Sequence, residues 1–171
     1  MSEPTPRALP SDSIRAVVHA AGVATPYLRT GRGAPVVLVA GQEWTRLLLP
    51  LLAGGRSVLA PEVPALPTSA TDPSGRVAFC RWLRAVFEGL GLERPALVAA
   101  GGAVTAALAF ALLEEDRLER LVLLAAAAEE ADDRELDGRL GCPSLRLRAV
   151  AGGAEARVAA EAAVRFLAGG D

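Results

Sequence analysis

The chain is 171 residues long, 51% hydrophobic and 22% charged, with a formal net charge of -2. That is the length of one domain with enough apolar material for a sizeable core, and the charge gives no reason to expect nucleic acid or an anionic membrane as a partner. Cys80 and Cys142 lack metal-ligand spacing and read as thiols of a cytoplasmic protein; no cofactor or metal is called for. All eighteen basic residues are arginine, the mark of a GC-rich coding sequence, so arginine content by itself argues nothing.

Residues 1–12 are polar and Pro-rich with no apolar run, which makes them neither signal peptide nor anchor but a disordered lead. A single domain is expected over 13–168. Residues 14–20 (IRAVVHA) and 24–29 (ATPYLR), separated by Gly22, read as an antiparallel hairpin at a sheet edge, and 30–35 as a turn. Residues 36–40 (VVLVA) are apolar on both alternating faces and read as a buried strand; 45–52 have helical spacing, and 57–60 form the next buried strand. Ser74 is the expected N-cap of a helix over 75–89 whose apolar face is Val77, Phe79, Cys80, Leu83, Val86 and Phe87.

Residues 96–100 are apolar, Gly101-Gly102 interrupt them, and 103–113 continue without Pro or Gly. That pattern is strand, sharp turn, helix, with only small residues at the bend. A further strand is predicted over 121–125. The acidic run at 129–137 reads as a solvated helix or loop, 145–150 as a strand, and 154–167 as a helix contacting the core through Val158, Ala162, Val164, Phe166 and Leu167. Strands alternating with helices predict right-handed crossovers and a parallel sheet.

The bend Ala99-Ala100-Gly101-Gly102-Ala103 is similar to the nucleophile elbow of α/β-hydrolases, G-x-S-x-G, with Gly101 where the serine would stand. VVLVAG, Trp44 and the LLLPLL run, followed by VLAPEVPALPTS, resemble two further stretches of that family. Glu62 stands at its usual Asp and Ser69 at its usual Ser; Ala40 replaces the His of its HG pair, and Ala65 and Pro67 replace loop glycines. The resemblance implies a minimal α/β-hydrolase fold: a mostly parallel sheet with helices on both faces and antiparallel N-terminal strands, lacking the cap and one strand-helix unit.

Acyl transfer on this fold ordinarily needs a nucleophile, a base and an orienting carboxylate. Gly101 has no side chain, the chain's one histidine, His19, falls on the first strand, and the usual carboxylate position is occupied by Ala151, Gly152 and Gly153. Ordinary serine hydrolysis is excluded. By the resemblance, the oxyanion donors that remain are the backbone N–H groups of Gln42 and Gly102, each worth roughly 3 kcal/mol to a transition state. Glu43 is a candidate base or a first-turn acid favoured by the helix dipole; Trp44, Glu62, Ser69 and Gly101 are candidates for lining the substrate site, against core and turn roles for the same residues. Thr105 is expected to be buried and bonded to a carbonyl.

Three functions stay open on these residues. The first is a triad-less acyltransferase of specialised metabolism, such as antibiotic biosynthesis, which moves an acyl group from a carrier-protein thioester or peptide to a nucleophile on the acceptor. The second is a non-catalytic pseudo-hydrolase that binds a small molecule or a protein partner. The third is a lyase, cyclase or epimerase using Glu43 or the substrate's own carboxylate as base. An uncapped mouth exposes apolar surface, and a homodimer is its expected cover.

Overall fold

A computed structural model describes residues 10–64, 73–125 and 139–169. The expected lead therefore lies outside the described residues as far as position 9, while Asp12 is tied down by a 3.0 Å hydrogen bond from the Thr30 hydroxyl.

Strands β1 (Ile14–Ala20) and β2 (Val23–Thr30) form the hairpin. Both residues of its two-residue turn, Ala21 and Gly22, have positive φ, as the twist of a tight hairpin requires. The register follows from that turn: Ala20 opposes Val23, and Arg15 opposes Leu28. Strand β3 (Pro35–Val39) leads into helix α1 (Gln42–Leu52), then β4 (Ser57–Pro61), helix α2 (Pro73–Gly89) and β5 (Ala96–Ala100). A single 3₁₀ turn (Gly101–Ala103) opens helix α3 (Val104–Leu113). Strands β6 (Leu121–Ala125) and β7 (Ser144–Arg148) and helix α4 (Ala154–Leu167) complete the described residues.

These strands form one sheet in the order β1-β2-β4-β3-β5-β6-β7. From β4 to β7 it is parallel; β1 and β2 join it antiparallel. Every residue of β4, β5 and β6 is buried, because helices cover both faces and leave no side chain of these strands in water. Val37, Val39, Leu97, Ala99, Leu121 and Leu123 pack under α2 and α3. Val36, Leu38, Val58, Val98, Val122 and Leu124 pack under α1 and α4.

Several local expectations change. Helix α1 starts three residues before position 45, because Gly41 takes an extended N-cap conformation. Helix α2 already includes Pro73 and Ser74, so Ser74 is not the N-cap; a proline in the first turn forfeits no helical hydrogen bond and its fixed φ starts the helix. Val77 is 57% exposed, and Trp82 is buried in its stead. In α4, Val158 is 64% exposed while Ala156, Ala159, Ala160 and Ala163 are buried. The helix presents its alanine stripe because small side chains let it lie close to α1 and the sheet. Thr105 is half-buried and makes no hydrogen bond through its side chain among the described residues. The acidic run at 129–137 lies outside the described residues.

Candidate functional site

The strand order sets where a ligand can bind. From β3 the chain crosses through α1 to β4 on one side, and from β4 it crosses through α2 to β5 on the other side of β3. The carboxyl ends of β3 and β5 are therefore the topological switch point, where loops diverge and leave a crevice. Gly41 and Gln42 leave β3 there, and Gly101 and Gly102 leave β5.

Gln42 is the first residue of α1, and the N–H groups of a helix's first turn have no acceptor inside the helix. Gly102 stands in the same relation to the 3₁₀ turn, whose hydrogen bond runs from the Val104 N–H to the Gly101 carbonyl. Both residues line one cavity of about 950 Å³. Among the described residues no side chain caps either turn, so donors at the head of α1 and of the 3₁₀ turn are left for a ligand to satisfy.

Gly101 has φ +64°, the left-handed conformation that costs an L-residue roughly 1–2 kcal/mol. Space does not demand the glycine: a Cβ built there would meet Trp44 Cδ1 at 3.8 Å and Nε1 at 4.0 Å, ordinary van der Waals contact. The elbow thus keeps the backbone of a nucleophile turn and room for a side chain, with none present.

Three helices and the strands β1, β2, β4 and β5 build the cavity walls. Gln42 and Arg46 of α1, and Gly75 and Phe79 of α2, all line it, each pair four residues apart and one above the other on a single face; Gly102 of the 3₁₀ turn and Ala106 of α3 line it as well. Ala40, Ala60, Pro61, Glu62 and Ala100 come from the strand ends, and Arg15 and Leu28 from β1 and β2. The lining therefore draws on both sides of the sheet: Phe79 and Ala106 belong to the α2 and α3 side, Ala60 and Leu28 to the α1 side.

Of the residues singled out from sequence, Gln42, Gly102 and Glu62 line this cavity. Glu43 is exposed and absent from the lining; it acts as a negative group in the first turn of α1, where the helix dipole favours it. Trp44 is 5% exposed and sits under the elbow against Gly101. Ser69 lies outside the described residues. His19 is an exposed residue of the edge strand β1, and its carbonyl lies beside Gly89 at the far end of α2. Neither the loop at 151–153 nor His19 contributes to the lining. Burial pushes the thiol pKa values of Cys80 and Cys142 up, away from nucleophilic range. Among the described residues no cluster of His, Cys, Asp or Glu could hold a metal ion, and no helix is long and apolar enough to cross a membrane.

Arg15, Leu28 and Arg46 were not singled out from sequence, and Phe79 was read only as part of the apolar face of its helix. The signal for the first two was present: a two-residue turn at Ala21-Gly22 fixes Arg15 opposite Leu28. Arg46 and Phe79 follow from the four-residue helical repeat once Gln42 and Gly75 are placed.

No protein-family model matches the chain, and no curated protein does. Solved structures do match. Naproxen esterase, a carboxylesterase from Bacillus subtilis, superposes with a TM-score of 0.55 at 17% identity, over 66% of this chain and 42% of the esterase. A meta-cleavage product hydrolase from Pseudomonas fluorescens, complexed with acetates, gives 0.54 at 26% identity, over 65% of this chain and 45% of the hydrolase. An epoxide hydrolase from Vigna radiata gives 0.57 at 19% identity, over 66% and 40%. The fold is that of the α/β-hydrolases. The chain spans less than half the length of these three enzymes.

Proposed function

We propose that this chain is a triad-less acyltransferase of specialised metabolism that activates an acyl carbonyl with backbone donors and leaves the attack to the acceptor. The observation that carries the reading is the pair of turn-opening N–H groups, Gln42 and Gly102, on one cavity at the switch point, beside an elbow without a side chain. The acceptor's amine attacks the carbonyl carbon of a thioester, forming the C–N bond and a tetrahedral oxyanion; the C–S bond then breaks as the carbonyl re-forms, and the proton on nitrogen leaves with the sulfur. The donors stabilise the oxyanion between those events. The donor group reaches the mouth on a carrier protein or peptide, and a second copy of the chain covers apolar surface there, such as Val63, which is 40% exposed.

Position 42 offers a clean test. It is the first residue of α1 and follows an extended Gly41 with φ -65° and ψ 167°, a setting in which proline is accommodated. Gln42→Pro removes the N–H; Gln42→Ala removes the side chain and keeps the N–H. With an N-acetylcysteamine thioester and an amine acceptor, Gln42→Pro should lose roughly 100-fold or more in turnover with helicity unchanged, and Gln42→Ala should not. Equal effects of the two substitutions refute the donor role. Ligand binding by the unaltered protein without transfer to any acceptor would establish the pseudo-hydrolase reading instead.

A further inference from the structure

We infer that the acyl group this cavity accepts is elongated and carries an anionic oxygen group, a carboxylate or a phosphate, at the end remote from the reacting carbonyl, held between Arg15 and Arg46. The inference rests on the acyl-transfer reading and adds the substrate class to it.

The sheet register puts Arg15 in place. Arg15 opposes Leu28 on β2, and Leu28 opposes Ala60 on β4. Directly opposed residues of antiparallel strands project to the same face. Leu28 and Ala60 belong to the α1 side of the sheet, so Arg15 shares that face, and all three line the cavity. Arg46 enters from α1, one helical turn after Gln42. The same helix thus offers a free N–H at its head and a guanidinium one turn on.

Neither guanidinium is engaged by another described residue. Arg56, Arg84 and Arg120 hold acids or carbonyls elsewhere, whereas Arg15 and Arg46 have no hydrogen bond or ion pair among the described residues. Among the described residues Glu62 is the one acid in the lining, against two arginines, so the described lining is net cationic. Its charge is also unevenly placed. The side lined by Gly75, Phe79 and Ala106 carries none, while the α1 side carries both cations. With the carbonyl at Gln42 and Gly102, an acyl chain laid along the α1 side brings its terminal oxyanion to Arg15 and Arg46, and the Phe79 side is left to the apolar part of the leaving group. Guanidinium groups suit such an oxyanion because they offer paired donors in one plane.

Binding, measured by isothermal titration at low salt, tests this with three probes: monomethyl suberate, dimethyl suberate and octyl phosphate. The first two differ by one charge and a methyl group. The charged probes should bind at least about tenfold more tightly than dimethyl suberate, the low end of what one charge-assisted hydrogen bond supplies. Whichever of the carboxylate and the phosphate binds more tightly identifies the source of the anion. In Arg15→Gln/Arg46→Gln the preference should vanish, with dimethyl suberate bound as before. Should that variant fail to fold, raising salt from about 0.02 to about 0.5 M on the unaltered protein must shrink the preference. Equal binding of charged and neutral probes, no binding of any probe, or a preference that survives the double substitution each overturns the inference. Turnover is not part of the readout: a charge preference in a protein that transfers no acyl group keeps the anion site and sinks only the acyl-transfer reading.

Discussion

The two faces of the sheet are filled with different materials. Under α2 and α3 the core is aromatic: Phe87 and Phe110 meet edge to face at 5.3 Å, Phe79 and Trp82 lie 5.5 Å apart, and the buried Trp82 Nε1 donates to the Thr25 hydroxyl at 3.0 Å. Arg84 of α2 pairs with Glu114 at the end of α3. Under α1 and α4 the contact is made mainly of leucines and alanines, with Trp44 as the one buried ring among the described residues, and polar groups hold α4 at its end. Arg56 donates to Glu119 and to the Leu167 carbonyl, while Arg120 donates to the Phe166 carbonyl at 3.1 Å with its guanidinium 5.1 Å from the Phe166 ring. Large rings fill volume and need nothing else to define a helix position. A stripe of alanines permits close approach but specifies axial position weakly, so hydrogen bonds to the helix's last carbonyls do that work.

The largest expected effect is on the aromatic face. Phe110→Ala removes a fully buried ring from the Phe87 pair and should cost about 3–5 kcal/mol in urea unfolding. On the alanine face the damaging change runs the other way. Ala160 is 0% exposed, and Ala160→Leu should destabilise by about 1–3 kcal/mol through overpacking; if it proves neutral, the close packing of α4 described above is wrong. Between the faces, Gly101→Ser should fold with a loss of about 1–2 kcal/mol, because the left-handed φ and not space is the obstacle. It should show no esterase activity towards p-nitrophenyl acetate, since no imidazole reaches the elbow.

Arg56→Gln should cost about 1 kcal/mol and loosen the end of α4, seen as faster amide exchange of its last turn. The same contact sets a pH signature. The Arg56 hydrogen bond holds the Glu119 carboxyl below its usual pKa. A depressed folded-state pKa gives stability that is present above the ordinary carboxylate range and lost as pH falls through the lowered value. Glu119 is 40% exposed, so the loss is small, and it should be absent from the acid limb of the Arg56→Gln stability profile.

The apolar runs at positions 36–40, 57–60, 96–100 and 121–125 placed four central strands within one residue of their observed ends, because a strand buried on both faces has no polar position to blur it. The helical spacings of α2 and α4 revealed their existence but misassigned part of each buried face. Val77 and Val158 look like core residues and are exposed, while Trp82 and the alanines of α4 are buried. Hydrophobicity ranks side chains, but the distance between helix and sheet decides which ones fit. For the site, Gln42, Glu62 and Gly102 were legible as loop positions. Arg15 was not, since it is remote in sequence from the other lining residues and joins them only through strand pairing.

By itself the sequence determined which segments are strands and helices, and that the elbow has no nucleophile, because periodicity and the identity of a residue are local properties. Only the tertiary structure decided that Arg15, Arg46, Phe79 and the two turn-opening amides share one cavity. That assembly depends on strand order and register, which are set by pairings between segments far apart in the chain.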